Sequence, residues 1–529
     1  MSGALAARFS GLLDNRWSRI GLALLAGAGA ALMHPPFGFL PGLLGYPLLL
    51  LLADRAGGMK GGFWVGWLAG FAYFFIGCWW VAEAFLVNPA QAWMAPFAAS
   101  LLPAGMGLFW GLATLAYRRF SPAGARRVLL FAALFALLEW TRGHVLTGFP
   151  WNPAGAGWAA GSAMSQFASV AGVYGLGLVT VAAVSAFAPL IDAGPRRPRL
   201  IAAGLGVLTL GGLFAFGAAR LSFARVVETP TLVRLVQADI AQDYKWSPEA
   251  YQAILGRYLA LTAQPADAVP DVVVWPEGAL PTTANDLLSG PDLHAVATAL
   301  QTGQTLLAGL SRGEPDPTAE TGARYYNSML VLRDVGADQL NLDAIYDKHR
   351  LVPFGEYLPL GDLMGRIGVR SLVHVPADFS PGPPPAPISL ANAPAVQPLI
   401  CYESLYPGFT PATAATRPAW IVNVSNDAWF GKTSGPRQHL NLASYRALET
   451  GLPVARATPT GVSAMIDPWG RIIDGKRLDP GQAGVIDVHL PQAAKPTLYG
   501  RWGDLGFAAL LLFFFTFGRR SAGYRQLLR

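Results

Sequence analysis

Apolar stretches of membrane-spanning length, separated by short charged loops, dominate the first 220 residues, and one more lies near the C-terminus. Crossing about 30 Å of hydrocarbon requires roughly 20 apolar residues. The pattern therefore predicts a polytopic helical bundle of about eight spans. The predicted spans cover residues 18–34, 38–54, 61–85, 91–117, 127–142, 164–191, 199–219 and 503–518.

The pattern changes between about residues 226 and 495, where short β-rich runs alternate with helix-like stretches such as 248–262 and 437–450. This alternation predicts an α/β sheet covered by helices. The strand-like runs are 232–237, 271–275, 305–309, 328–332, 398–401 and 420–425.

Three regions follow from these two patterns. Residues 1–220 are expected to form a membrane domain of about seven helices, 221–498 the α/β domain, and 499–529 a last membrane helix with a cytoplasmic tail. The moderately apolar segment 357–379 is expected to be a lid or a membrane-facing arm.

Composition supports a membrane protein. Of the 529 residues, 53% are hydrophobic and only 13% are charged, against roughly 25% charged in ordinary soluble proteins. The net charge of +7 comes from basic residues clustered in alternate loops, such as Arg118 and Arg119 after the fourth span and Arg196 and Arg197 after the sixth. Cytoplasmic loops carry such an excess. We therefore predict cytoplasmic termini, an extracytoplasmic α/β domain and no nucleic-acid partner.

The cysteine and histidine content argues against a disulfide framework and a metal site. Cys78 lies in an aromatic apolar run and is expected to pack among helices, which leaves Cys401 as a free thiol. The seven histidines show no pair at ligand spacing. Neither a metal nor a cofactor is predicted.

Three chemically useful residues follow strand-like runs in the α/β region. Glu277 ends Val-Val-Val-Trp-Pro-Glu, Lys348 follows Tyr-Asp, and Cys401 follows Pro-Leu-Ile. The ends of strands in one sheet can converge on one rim. A carboxylate base, a cation that stabilises an oxyanion and a thiol nucleophile would then meet. Each residue alone is better explained structurally, because free cysteines are usually buried, but the three together favour thioester chemistry.

One competing motif is rejected. The segment 309–313, Gly-Leu-Ser-Arg-Gly, fits the pattern of a serine-hydrolase nucleophile, which requires a strand, a tight turn and a helix. The following Glu-Pro-Asp-Pro cannot promptly begin a helix.

The strings around the three residues resemble the carbon–nitrogen hydrolase, or nitrilase, superfamily, whose signature is a Glu–Lys–Cys triad. Glu277 matches in Trp-Pro-Glu, Lys348 in Tyr-Asp-Lys-His-Arg-Leu-Val-Pro-Phe-Gly-Glu-Tyr, and Cys401 in Ile-Cys-Tyr-Glu. With Asn-Val-Ser-Asn-Asp-Ala-Trp-Phe-Gly at 423–431 and the predicted spans, nearly the whole chain resembles the membrane-embedded branch, the apolipoprotein N-acyltransferases.

This resemblance implies a nitrilase-like αββα sandwich facing the periplasm of a bacterial inner membrane. It implies ping-pong transfer of an acyl chain through a thioester on Cys401. The donor is a phospholipid, typically phosphatidylethanolamine, and the acceptor is the N-terminal amine of a diacylglyceryl apolipoprotein. Glu356 is implied to hold Lys348, and Trp246 to bind substrate.

The neighbours of these motifs are expected to assist. Tyr402 and Glu403 would support catalysis, with the backbone N–H of Tyr402 stabilising the oxyanion, while Trp429 and Phe430 would form substrate-binding walls. Ordinary packing is the alternative for each.

Two other functions stay open at this point. One is a membrane-anchored amidase or nitrilase that uses water as the acceptor. The other is a polytopic transporter with a nitrilase-like binding domain. The charged residues Glu83, Glu139 and Arg142 lie near predicted span ends rather than deep in the bundle, which is unlike an intramembrane ion pathway.

Overall fold

The computed structural model describes residues 11–193, 195–247, 249–319, 322–358, 378–410 and 417–518. The chain divides into two units. The helical unit takes the described residues of Met1–Trp79, Pro96–Phe223 and Trp502–Arg529, and the sheet unit takes those of Trp80–Ala95 and Ala224–Arg501. Most of the predicted arm at 357–379 and the C-terminal tail lie outside the described residues.

Helices occupy every position where a span was predicted. They are Arg16–Leu32, Gly45–Asp54, Gly58–Cys78, Ala95–Phe120, Arg127–Arg142, Ala168–Ser185, Arg196–Ser222 and Leu505–Gly518.

Length separates these helices into two groups. Four apolar helical stretches in the described residues are long enough to cross a membrane, namely Gly58–Leu86, Pro89–Phe120, Met164–Ile191 and Arg196–Ser222. The apolar stretches Leu40–Asp54 and Leu505–Gly518 are shorter. The total of eight spans therefore stays a prediction.

Small residues bring backbones of the helical unit into contact, as is usual where helices pack in lipid. A Cβ atom at Gly27 would lie 1.8 Å from the carbonyl oxygen of Ala69, and one at Gly217 would lie 1.7 Å from that of Ala163. A Cβ atom at Gly177 would lie 3.0 Å from the backbone nitrogen of Gly155, a less severe contact. No larger residue fits at Gly27 or Gly217 unless the backbones separate.

Two charged residues of this unit are buried at a helix end. Glu139 and Arg142 lie in the last turn of Arg127–Arg142, 3.9 Å apart. The backbone N–H of Ala154 donates to both carboxylate oxygens of Glu139 at 3.1 Å, and Arg142 donates to the carbonyl of Trp151 at 2.9 Å. Both side chains therefore hold the loop that follows the helix, and these contacts explain why the two charges are buried without invoking an ion pathway.

Eleven strands form two sheets in the described part of the sheet unit. The strands are β1 Glu228–Gln237, β2 Val272–Trp275, β3 Thr305–Pro315, β4 Ala323–Gly336, β5 Gln339–Asp347, β6 Val396–Ile400, β7 Trp420–Val424, β8 Val454–Ala457, β9 Ser463–Ile466, β10 Ile472–Leu478 and β11 Gly484–Pro491. The first sheet has the order β11-β1-β2-β3-β4-β5 and the second the order β10-β9-β8-β7-β6.

Each sheet contains three neighbouring parallel strands, namely β1, β2 and β3 in the middle of the first sheet and β8, β7 and β6 at one side of the second, where β6 is the edge strand. Buried apolar side chains of both sheets share one core, in which Val274 and Val331 meet Val422. Helices cover the outer faces, Ala250–Thr262, Ala284–Ser289 and Asp292–Ala299 on the first sheet and Gly435–Thr450 on the second. The αββα sandwich is confirmed, with Cys401 at the edge of the core between the sheets.

The rejected serine motif lies inside β3, where Ser311 pairs with Asn327 of β4. The strand continues to Pro315 and no helix follows directly. Ser311 therefore lacks the strand–turn–helix geometry of a serine nucleophile.

Candidate active site

Cys401 lies where β6 ends and a helical turn, Cys401–Leu405, begins. Its φ of +49° falls in the left-handed region, which non-glycine residues seldom adopt and which often marks functional sites. The side chain is buried, and burial raises the pKa of the thiol, as does the nearby Glu277, while Lys348 opposes the rise. The resting residue is thus a neutral thiol that needs a base.

Glu277 follows β2 through Pro276 and points its carboxylate into the same region. Its Oε1 atom accepts a hydrogen bond from Asn327 Nδ2 at 2.7 Å and lies 3.4 Å from Lys348 Nζ. Its Oε2 atom accepts from the backbone N–H of Asn426 at 2.7 Å. Three elements therefore fix the carboxylate, and it acts electrostatically on the Cys401 thiol.

Lys348 comes directly after β5 and is 1% exposed. Its Nζ atom donates to Glu356 Oε1 at 2.9 Å, in addition to the contact with Glu277. Burial alone would lower the pKa of this ammonium, but the carboxylates of Glu356 and Glu277 outweigh burial and raise it. Lys348 is therefore a permanent cation beside the thiol.

Glu356 holds the lysine from a turn rather than from a strand, because β5 ends at Asp347. Its Oε2 atom accepts the backbone N–H of Val352 at 2.8 Å, and its Oε1 atom also accepts Asn327 Nδ2 at 2.6 Å. Asn327 thus joins both glutamates and was not predicted from sequence. Asn327 lies between Tyr326 and Ser328 in β4, and that string resembles no catalytic motif.

Glu403 lies within the Cys401 turn and is bound by donors on both sides. Its Oε1 atom accepts from the Tyr346 hydroxyl at 2.8 Å and from the backbone of His349 at 2.8 Å and Arg350 at 3.1 Å. Its Oε2 atom accepts the backbone N–H of Ile400 at 2.7 Å. Burial raises the pKa of Glu403 to about 7, although these hydrogen bonds lower it. The side chain braces the turn.

The aromatic residues differ in their exposure. Trp246 is 64% exposed, with Lys245 Nζ 5.6 Å from its ring centroid, and Trp429 is 38% exposed. Phe430 packs edge-on against Trp80, with centroids 4.5 Å apart. Tyr402 is buried and packs against another tyrosine of its own turn. The indole rings of Trp246 and Trp429 are therefore accessible to solvent, while Phe430 and Tyr402 are packed against other aromatic rings.

A second polar group behind Cys401 was not predicted. Arg456 donates to both carboxylate oxygens of Asp427, at 2.9 and 2.7 Å, and the imidazole Nδ1 of His439 lies 2.9 Å from Asp427 Oδ1. His439 Nε2 lies 3.2 Å from the Cys401 carbonyl oxygen and 3.1 Å from Ser404 Oγ. Burial would raise the pKa of Asp427, but Arg456 and His439 hold it at about 2.

No group of three or more His, Cys, Asp or Glu side chains suited to a metal ion occurs in the portions of the chain that the structure describes. The site consists of a neutral thiol, a bound carboxylate and a buried ammonium. These groups can perform nucleophilic attack, proton transfer and oxyanion stabilisation.

Comparison with known proteins identifies both parts of the chain. Residues 232–497 match the carbon–nitrogen hydrolase family and residues 26–186 match the apolipoprotein N-acyltransferase N-terminal domain. An apolipoprotein N-acyltransferase of Caulobacter vibrioides is 52% identical over 509 residues, covering 94% of each chain. One from Allorhizobium ampelinum is 39% identical over 93% of each.

Among solved structures, an amidase from Nesterenkonia sp. aligns with 54% of this chain and 99% of its own, at 18% identity and a TM-score of 0.35. Similarity at that level does not support a functional conclusion.

Proposed function

Because the chain belongs to the apolipoprotein N-acyltransferase family, we propose that Glu277, Lys348 and Cys401 form the triad that performs its acyl transfer. The observation that carries this proposal is the position of Lys348 Nζ, 2.9 Å from Glu356 and 3.4 Å from Glu277, where it acts on the Cys401 thiol. A fixed cation and a fixed base beside one buried thiol suit acyl transfer through a thioester.

The first half-reaction acylates the enzyme. Glu277 accepts the thiol proton of Cys401, and the sulfur attacks the ester carbonyl of a phospholipid. The ammonium of Lys348 and the backbone N–H of Tyr402 stabilise the oxyanion. Glu277 then returns its proton to the leaving alkoxide, so that a lysophospholipid departs and the thioester remains.

The second half-reaction transfers the acyl chain. The α-amine of a diacylglyceryl apolipoprotein attacks the thioester carbonyl, and Glu277 takes a proton from that nitrogen. The amide forms as the thiolate of Cys401 leaves and recovers its proton from Glu277. The reaction is ping-pong, because the first product departs before the acceptor reacts.

The remaining residues act around the triad. Glu356 holds Lys348, and Glu403 holds the turn that presents Cys401. The exposed rings of Trp246 and Trp429 contact the lipid substrates, with Phe430 behind them. Phosphatidylethanolamine is the proposed donor.

We place this chemistry at the outer face of a bacterial inner membrane. The proposed arrangement has a membrane domain of seven spans in 1–220, a periplasmic catalytic domain in 221–498, and an eighth span in 499–529, with both termini cytoplasmic. Burying a lipid chain stabilises it by about 0.8 kcal/mol per CH₂. An enzyme that meets its donor at the leaflet avoids removing two acyl chains into water.

Intact mass spectrometry of the purified protein tests the proposal. After incubation with phosphatidylethanolamine alone, we expect one acyl adduct, localised by proteolysis to Cys401. Addition of a diacylated lipopeptide should remove the adduct and yield a triacylated peptide. A Cys401 that stays unmodified during turnover would overturn the triad.

The chain offers a matched control in its other cysteine. Cys78→Ala should still form the adduct, whereas Cys401→Ala should not. Release of free fatty acid at the same rate with and without lipopeptide would instead identify a hydrolase that uses water.

A further inference from the structure

Hydrogen bonds behind the nucleophile form a closed ring that begins and ends at Cys401. Parallel pairing sets Ile400 of β6 opposite Val424 of β7, so that Cys401 and Ser425 follow neighbouring strand ends. A hydrogen bond from Ser425 lowers the pKa of the Cys401 thiol, and the Ser425 hydroxyl donates to Asp427 Oδ1 at 2.9 Å. Asp427 bonds to His439 at 2.9 Å, and His439 returns to the Cys401 carbonyl oxygen at 3.2 Å. The ring therefore contacts the sulfur on one side and the backbone of the same residue on the other.

Ser425 is the member of this ring that follows the strand end beside the reacting residue. It follows β7 directly, is fully buried, and its backbone N–H donates to the carbonyl of Ala457 at 3.0 Å. Its hydroxyl carries a single proton but faces two acceptors, the Asp427 carboxylate and the sulfur. Only one of them can receive that proton at a time.

The state of the sulfur decides which acceptor is better. A neutral thiol is a weak acceptor, so the Ser425 hydroxyl donates to the Asp427 carboxylate. A thiolate is a charged acceptor, and hydrogen bonds to charged groups are about twice as strong as neutral ones. Asp427 can release the hydroxyl because Arg456 and His439 still bind it.

We infer that Ser425 is a further catalytic residue, whose hydroxyl turns from Asp427 to the Cys401 sulfur whenever that sulfur carries negative charge. This inference rests on the proposed role of Cys401 as nucleophile. The hydroxyl transfers no proton. It donates a hydrogen bond to the thiolate before attack, returns to Asp427 in the thioester, and donates again as the thiolate leaves. Asp427 and His439 are positioning residues.

Alkylation of Cys401 by iodoacetamide, followed across pH by peptide mass spectrometry on the full chain in detergent, isolates this role. In Ser425→Ala the thiolate loses one charge-assisted hydrogen bond. We expect the midpoint of the profile to rise by about one pH unit and the rate at neutral pH to fall about tenfold. Ser425→Thr keeps the hydroxyl and should restore both values.

Ser404→Ala is the matched control, because its hydroxyl donates to the Cys401 carbonyl oxygen at 2.9 Å and not to the sulfur. It should leave the midpoint in place. An alkylation midpoint that is the same in wild type and Ser425→Ala would overturn the inference. So would a Ser425→Thr variant that unfolds at the wild-type temperature but does not restore the wild-type midpoint.

Asp427→Asn tests the ring from the other side, and it remains informative if Ser425→Ala unfolds. Glu277 and Asp427 are the carboxylates that face the thiol, and Lys348 is the cation. Removing the Asp427 charge leaves Arg456 unneutralised and the hydroxyl free for the sulfur. The midpoint of the pH profile of Cys401 alkylation should fall, although acyl transfer becomes slower. A slower alkylation with no downward shift would count against the ring.

The two hypotheses fail differently. If Cys401 is not the nucleophile, wild type will form no acyl adduct with phosphatidylethanolamine, whatever the alkylation profiles show. If only the inference about Ser425 is wrong, wild type will form the adduct, and Ser425→Ala will form it with the wild-type rate and pH dependence.

Discussion

The two sheets bring different kinds of polar group to the site. The six-stranded sheet supplies Glu277, Asn327 and Lys348, and Glu277 shares the Lys348 ammonium with Glu356 of the following turn. The five-stranded sheet supplies Cys401 and Ser425, which are neutral, and places its charges behind them. In the proposed mechanism, the six-stranded sheet provides the proton acceptor and the cation, and the five-stranded sheet provides the nucleophile.

The carboxylates Glu277 and Asp427 show the contrast best. The nearest cation to Glu277 lies at 3.4 Å, whereas the guanidinium of Arg456 contacts both oxygens of Asp427 at 2.9 Å or less. Hydrogen bonds between two charged groups are stronger than those between neutral groups, and Arg456 with His439 holds the pKa of Asp427 at about 2. Asp427 therefore stays ionised, whereas Glu277 is the carboxylate that we propose as the proton acceptor.

The largest effect should come from removing the proton acceptor. Glu277→Gln keeps the size of the side chain but cannot accept the thiol proton, and general-base catalysis contributes as much as about 10⁴-fold. We expect acyl transfer to fall by about a thousandfold, measured as thioester formation by rapid quench. The unfolding temperature should stay near that of wild type. Retention of more than a tenth of the wild-type rate would show that another group accepts the thiol proton.

Arg456→Met should act on stability rather than on proton transfer. It leaves Asp427 buried without its cation, because burial lowers the pKa of His439 and disfavours a charged imidazole there, and breaking such a pair costs about 3–5 kcal/mol of unfolding free energy. Chemical denaturation measures this loss. Adding Asp427→Asn to the variant should recover part of it, and a double variant that is no more stable would contradict the assigned pair.

Glu403 should give the sheet unit a measurable pH dependence. Its folded pKa of about 7 lies above its ordinary value of 4.5, so the folded protein binds the proton more tightly. The stabilisation is complete below about pH 4.5 and is lost as pH rises through 7, by about 3 kcal/mol in total. Glu403→Gln should flatten this part of the unfolding profile between pH 5 and 8. An unchanged slope would assign the titration to another group.

The smallest effect is expected at an exposed pair on the same sheet as Glu277. Arg333 contacts Asp343 at 2.7 Å between β4 and β5, where solvent reaches both side chains. Ion pairs of this kind contribute little. Arg333→Met repeats the substitution made at Arg456, and we expect neither stability nor acyl transfer to change measurably. A loss comparable to that of Arg456→Met would undermine the distinction between the two regions.

Sequence alone predicted the residues that lie in distinctive strings. Glu277 and Cys401 follow apolar runs that predicted strands, Lys348 lies in a string typical of the family, and Glu356 followed from the family resemblance. The strands β8 to β11 were missed because their residues are mixed in polarity. Asn327, Asp427, His439 and Arg456 were missed for another reason, since each finds its partners on other strands, turns or helices that only the fold brings together.

The four hydrogen bonds of Glu403 have a mechanical consequence. Its carboxylate joins Tyr346 of β5 in one layer to Ile400 of β6 in the other. Sliding one layer past the other by a single residue is a movement of about 3.3 Å, and it would break these bonds together. The hydrogen bonds of Glu403 therefore resist sliding of the two sheets beside Cys401. Relative motion of the sheets should be greatest far from Cys401, and the distance from the Glu277 carboxylate to the Cys401 sulfur should be among the least variable in the sheet unit.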